Sequence, residues 1–71
     1  MDSRRLGRAI RKARTAQGYS LETLADKAGI SDRYLADVER GNRSVSVDVA
    51  AKIAVGLGMT LQKLLDSASK H

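Results

Sequence analysis

Between residues 31 and 44 the chain gathers the side chains that suit reading a polyanion. Ser31, Asp32 and Arg33 stand just ahead of an apolar helical stripe, so they fall in the first turn of a helix. A guanidinium there can fork onto O6 and N7 of guanine in the DNA major groove. Asp32 can accept from cytosine N4, can orient Arg33, or can serve as the carboxylate that a positive helix start favours. Asp37 lies one turn beyond Arg33. It is a candidate base contact or, alternatively, a weak i, i+4 ion-pair partner for Arg33. Tyr34 can pack its ring beside this turn and extend its hydroxyl to a phosphate, or act as a half-buried packing residue. Asn42, Arg43 and Ser44 follow the helix in a loop, where all three can donate to phosphates, and Asn42 also suits ordinary turn chemistry.

These groups need a rigid mount, and residues 20–43, SLETLADKAGISDRYLADVERGNR, supply its pattern. The stretch reads as two short helices joined by a tight turn. Leu24, Ala25 and Ala28 share one helical face, and Leu35 and Val38 share the next. Gly29 can take positive φ and end the first helix sharply. Ser31 caps the second helix, and Ile30 pins the turn to a core. The small Ala25 and Gly29 are expected where the two helices approach most closely. This is the spacing of a helix-turn-helix, whose second helix enters the major groove.

The rest of the chain repeats the same punctuation. Gly18, Gly29, Gly41 and Gly58 each follow a helical run, while Ser20, Ser31, Ser46 and Thr60 each precede one. Helices are predicted near 3–17, 21–28, 31–40, 47–57 and 61–69. The first carries Leu6, Ala9, Ile10 and Ala13 on one stripe, with Arg4, Arg5, Arg8, Arg11 and Lys12 largely off it. That basic face is either a solvated surface or an extension of an electrostatic footprint. The fourth is expected to bury Val49, Ala50, Ile53, Ala54 and Leu57, and the fifth shows Leu61, Leu64, Leu65 and Ala68. Gly56 inside the fourth helix costs about 1 kcal/mol against alanine, so it marks a close helix contact or nothing. The core is expected from Leu6, Ile10, Leu24, Ile30, Leu35, Val38, Ile53, Leu57 and Leu64.

Composition narrows the function. With 71 residues the expectation is a single domain, 1–71, all-α, without proline and with two tyrosines as its aromatic residues. Thirteen Lys and Arg against eight Asp and Glu leave a formal charge of +5, which favours a polyanionic partner. The one histidine, His71, is terminal, and cysteine is absent, so no metal set, cofactor or disulfide is expected and a cytoplasmic location fits. No apolar run approaches the roughly 18 residues of a membrane span, and no secretory signal is apparent. An enzyme would need a base, nucleophile or metal constellation that these residues do not offer. Single-stranded RNA would want an aromatic stacking platform, also missing.

The segments ADKAGIS, VERGNR and KIAVGLGMTLQKLL resemble the Xre-type helix-turn-helix family, which includes lambda-like phage repressors and the controller proteins of restriction–modification systems. The resemblance covers about residues 6 to 66. It implies a five-helix lambda-repressor-like fold, usually dimeric on pseudo-palindromic DNA. It also implies that Arg14 and Glu39 form the pair tying the first helix to the third. The segment from Asp32 through Ser44 is most similar to the controller proteins. Two positions depart from the pattern. Leu21 stands where the family usually has a DNA-contacting glutamine, which leaves Ser20 and Thr23 as the donors at that helix start. Val45 stands where proline is common.

The expectation is therefore a sequence-specific regulator of transcription that binds double-stranded DNA as a homodimer, with RNA polymerase or a toxin as a further candidate partner. The alternative is an antitoxin-like protein-interaction module that also binds its own promoter. A single helix-turn-helix needs a second copy for specificity. Met59 and Leu61 flank the junction of the fourth and fifth helices. With Val45 and Val47 as candidates beside them, they look surplus to the monomer core and are the expected dimer surface; the alternative is that they complete that core.

Overall fold

Each helix starts and stops at a local chemical signal. The computed structural model describes residues 2–69; His71 lies outside them. The elements are α1 (Ser3–Ala16), α2 (Leu21–Ala28), α3 (Asp32–Glu39), α4 (Val47–Gly56) and α5 (Leu61–Ser69). The hydroxyls of Ser20, Ser31 and Ser46 accept from the backbone N–H groups of Thr23, Tyr34 and Val49. Thr60 does the same for Lys63. These bonds satisfy donors that the first helical turn leaves without partners. Asp2 caps α1 by accepting from Arg4 N–H at 2.9 Å, a cap the apolar pattern does not reveal. Gly18, Gly29, Gly41 and Gly58 all sit at φ between 71 and 78°. The ends of α1, α3 and α4 differ from the expected bounds by one residue, because Gln17, Ser31, Arg40 and Leu57 are caps rather than helical positions.

The main packed pairs close a ring: α1 lies against α3, α3 against α2, α2 against α4, α4 against α5, and α5 against α1. Inside it, Ile10, Leu24, Leu35, Ile53 and Leu64 are fully buried, with Leu6, Val38 and Leu57 nearly so. Ile30 and Val49 are only half-buried and pack on the margin of this core.

Of the glycines given a packing role from sequence, Gly56 has it and Gly29 does not. A Cβ on Gly29 would meet nothing within 4 Å, so that glycine serves the left-handed turn and not helix crossing. The crossings rest on Gly7 and Gly56. A Cβ on Gly7 would run into the carbonyl oxygen of Val38 and lie 2.7 Å from that of Glu39. One on Gly56 would sit 3.1 Å from Leu24 Cδ1 and 3.3 Å from Ala28 N.

Where α1 meets α3, Arg14 and Glu39 form the pair that the resemblance implies. Arg14 Nε–H donates to Glu39 Oε2 at 2.7 Å and its Nη2–H to Oε1 at 3.1 Å. The remaining Nη1–H donates to the carbonyl of Tyr19 at 2.9 Å. The two side chains are 14% and 6% exposed. The hydrogen bond to Glu39 raises the guanidinium pKa above its ordinary value, outweighing burial, which acts the other way. At the far end of α1, Gln17 Nε2–H donates to the carbonyl of Leu57 at 2.7 Å and ties α1 to the end of α4.

Removing one partner of a fully buried pair strands the other, at about 3–5 kcal/mol, and breaking an exposed pair costs about 0–1 kcal/mol; this part-buried pair falls between them. Glu39→Ala should therefore melt well below the parent, each kcal/mol lowering Tm by roughly 4–8 °C in a domain this small. Gly7→Ala should also melt lower, since α1 must back away from the α3 carbonyls. Melting curves that overlay the parent's would reject both assignments.

Candidate nucleic-acid interface

The side chains singled out from sequence lie at the starts of α2 and α3 and in the loop from Arg40 to Ser46, and one contact joins two of these places, Arg43 with Tyr34. The α2 start is a small hydroxyl cluster. Ser20 Oγ accepts from Thr23 N–H at 3.0 Å and donates to Thr23 Oγ1 at 2.8 Å. Thr23 thus keeps its own hydroxyl hydrogen free to donate outward, and both residues are exposed. Leu21 between them turns to the core margin, an apolar task that a glutamine would not perform.

The start of α3 is fixed by its cap. Ser31 Oγ accepts from Tyr34 N–H at 3.0 Å. Asp32 Oδ1 accepts from the backbone N–H of Arg33 at 2.9 Å. Asp32 thus touches the main chain of Arg33 and makes no hydrogen bond with its guanidinium. Arg33 itself is exposed and has no hydrogen bond or ion pair from its side chain to any described residue. The suggested Arg33–Asp37 pair does not form. Asp37 instead accepts from Arg40 Nη2–H at 2.6 Å, three residues on. Its carboxylate is therefore committed within α3's own last turn, which leaves Arg33 free.

Tyr34 reconciles both sequence readings. Its ring is half-buried against the core margin, and its outer face carries a cation. The guanidinium carbon of Arg43 lies 4.8 Å from the ring centroid, a cation–π stack. The sequence reading lists both residues but misses their contact. The loop brings them together through Gly41, at φ 78°, and through the Asn42 N–H, which donates to the Asp37 carbonyl at 3.0 Å. The main chain of Asn42 thus does turn chemistry, while its side chain and Ser44 stay exposed. A second stack, Lys27 over Tyr19 at 5.1 Å, was also missed; aromatic and cation are too far apart in sequence to signal it.

Of the four residues expected at the dimer surface, only Met59 and Leu61 lie at the α4–α5 junction; Val45 and Val47 lie at the opposite end of α4, where Val47 projects into solvent at 73% exposure. Val45 and Met59 are half-buried and pack on the core margin, and Leu61 is half-buried. Val55, not among those expected, is as exposed as Val47. No helix among the described residues is long and apolar enough to cross a membrane.

Five helices without a strand among the described residues, with α2 and α3 joined by a glycine turn and α3 held end-on by its cap, define a helix-turn-helix domain. The fold is lambda-repressor-like. The chain belongs to the HTH_3 family, described as Helix-turn-helix, which it matches over residues 10–64. It is 36% identical over 67 residues to the HTH-type transcriptional regulator SinR of Bacillus subtilis, covering 93% of this chain and 59% of SinR. In structure it is similar to the clp gene regulator ClgR from C. glutamicum, with a TM-score of 0.92, 31% identity and coverage of 99% and 91% of the two chains. It is also similar to the restriction–modification controller protein C.AhdI from Aeromonas hydrophila, with a TM-score of 0.86, 40% identity and coverage of 89% and 96%. This is the Xre-type family that the sequence resembles, controller proteins included. The chain spans less than two thirds of SinR's length. The expectation that it is not an enzyme agrees with this family, whose members here are regulators by name.

The start of α3 is held by the Ser31 hydroxyl together with the Asp32 carboxylate. Ser31→Ala should lower stability by about 1 kcal/mol, the usual worth of such a cap, and Ser44→Ala by nothing measurable. Equal denaturant midpoints for Ser31→Ala and the parent would show that the cap does not hold the helix start.

Proposed function

We propose that the chain is a sequence-specific transcriptional regulator that binds double-stranded DNA as a homodimer on a pseudo-palindromic operator in the cytoplasm. The observation that carries this reading is the unpaired, exposed Arg33 in the first turn of a capped α3, beside Arg43 stacked on Tyr34. In this reading Arg33 reads a guanine edge in the major groove, with Asp32 and Ser31 next to it at the same helix start. Asp37 is a lesser base contact, since Arg40 holds it. Tyr34 presents Arg43, and Arg43, Asn42 and Ser44 follow one phosphate strand. Ser20 and Thr23 donate to phosphates in place of the glutamine usual beside them. The names of SinR and ClgR as regulators support regulation as the outcome.

The dimer rests on geometry. The domain measures 25 × 22 × 20 Å, so one copy spans less than the about 34 Å between half-site centres on one DNA face. One copy therefore covers a single half-site, and a second copy is needed for the other. Val45 and Val47 at the start of α4, and Met59 and Leu61 at the α4–α5 junction, offer apolar side chains for joining them, and the net charge of +5 makes the DNA between them the natural counterweight to their repulsion.

Selection from a random duplex pool gives the preferred site against which the variants are measured. On that site Arg33→Ala should cost about 1–3 kcal/mol and relax the preference at one base pair. Arg43→Ala should weaken binding to all duplexes alike and shrink the slope of log K against log salt by about one. Equal losses on selected and random DNA for Arg33→Ala would demote it to a phosphate contact, and recovery of no preferred site would reject sequence-specific binding.

Sedimentation with and without the selected duplex tests assembly. Two chains per duplex are expected for the parent. Val47→Lys, at an exposed position that the fold tolerates, should leave one chain bound or weaken the second markedly. Two chains bound with undiminished affinity by Val47→Lys would remove the start of α4 from the interface, and the same result for Leu61→Lys would remove the α4–α5 junction.

A further inference from the structure

Opposite the DNA-facing machinery, α1 and α5 enclose a groove of about 490 Å³ that none of the roles above uses. Its floor is small and apolar: Ala9, Ala13 and Ala16 from α1 and Ala68 from α5. Its rim is cationic, formed by Arg5, Arg8 and Lys12. The alanines recur at i, i+4 and i+7, and the cations at i, i+3 and i+7, so both rows run along the length of α1. The cations are not spent within the domain. Arg8 and Lys12 form no ion pair among the described residues, and Arg5 reaches only Asp2, at 4.0 Å.

The groove faces away from α3. Gly7 and Arg14 are the α1 residues that meet α3. Ala9 and Ala16 each lie two residues further on, about 200° around the helix at 3.6 residues per turn. A duplex lying across the starts of α2 and α3 is on the other side of α1 from them.

We propose that this groove docks an acidic amphipathic helix of a partner protein. The small floor lets a second helix approach closely and seat larger aliphatic side chains, while the three cations meet carboxylates along its flanks. The 14 residues of α1 give a track of about 21 Å, enough for four turns. DNA fits less well, because a phosphate backbone gains nothing from an alanine floor. A second copy of the chain also fits less well, since it brings the same surplus of +5. Docking here leaves Arg33 and Arg43 open, so such a partner is carried on the DNA-bound protein. The inference does not depend on the operator reading.

The probe is a synthetic helix with leucines at i, i+3, i+4 and i+7 and glutamates on both flanks, titrated into the full chain and followed by amide chemical shifts. Shifts should concentrate on Ala9, Ala13, Ala16, Ser67 and Ala68. A scrambled peptide of the same composition should bind poorly. The double variant Arg8→Glu, Lys12→Glu changes exposed positions only, and its own amide spectrum reports that it is folded. It should bind the probe roughly tenfold more weakly and regain affinity for the same helix carrying lysines in place of the glutamates. Absence of probe binding, equal binding of the scrambled peptide, or shifts centred on α3 would overturn the proposal. So would a loss of duplex binding in the double variant as large as its loss of peptide binding, which would assign these cations to DNA.

Discussion

The orientation of α3 depends on one part-buried ion pair. Arg14 reaches three parts of the chain at once: α1, which carries it, the end of α3 through Glu39, and the turn before α2 through the Tyr19 carbonyl. A guanidinium with its donors directed at fixed acceptors sets angles as well as distances. Gly7, half an α1 length earlier, lets the helix backbone rest on the Val38 and Glu39 carbonyls. Pair and glycine act together. The close approach makes the pair short and sheltered, and the pair stops α1 from sliding along α3. In a domain with no disulfide and a small core, such a joint compensates for the limited area available for burial.

The presented surface follows from that joint. With the far end of α3 held, its near end needs only local fixings, and both are short-range bonds: the Ser31 cap and the Asp32 contact with the next N–H. At the far end the Asp37–Arg40 pair takes a carboxylate out of Arg33's reach. Arg43 is ordered by stacking on Tyr34, without a hydrogen-bonded partner. A stacked guanidinium keeps its N–H edge available while losing rotamer freedom in advance, which lowers the entropy lost on binding an anion.

What could be read from the sequence was what is local. The caps at Ser20, Ser31, Ser46 and Thr60, the glycine stops and the apolar stripes depend on residues within a few positions of one another, and all appear in the structure. The misses are of another kind. Gly7 looks like an ordinary interruption of α1, and only the placement of α3 against it gives it a reason. Gly29 was given a packing role beside its turn role because small residues suit both, and only the turn role stands. Asp37 had cations at both Arg33 and Arg40 within reach, and spacing alone does not choose between them. The Arg14–Glu39 pair, 25 residues apart, was accessible only through family likeness. The groove between α1 and α5 joins the two ends of the described chain and leaves no trace in either segment alone.

The closed ring of helices bears on how the domain acquires its structure. α2 and α3 are neighbours in sequence and in space, and so are α4 and α5. By contrast α1 finds its partners in α3 and in α5, the last element of the ring. During synthesis α1 leaves the ribosome first yet has its full seat only after α5 follows, so its alanine face and basic row wait in the open while the middle helices settle. The ring therefore closes late. Its slowest contacts are those of greatest sequence separation, between the first and last helices, because loop-closure entropy must be met before they stabilise anything.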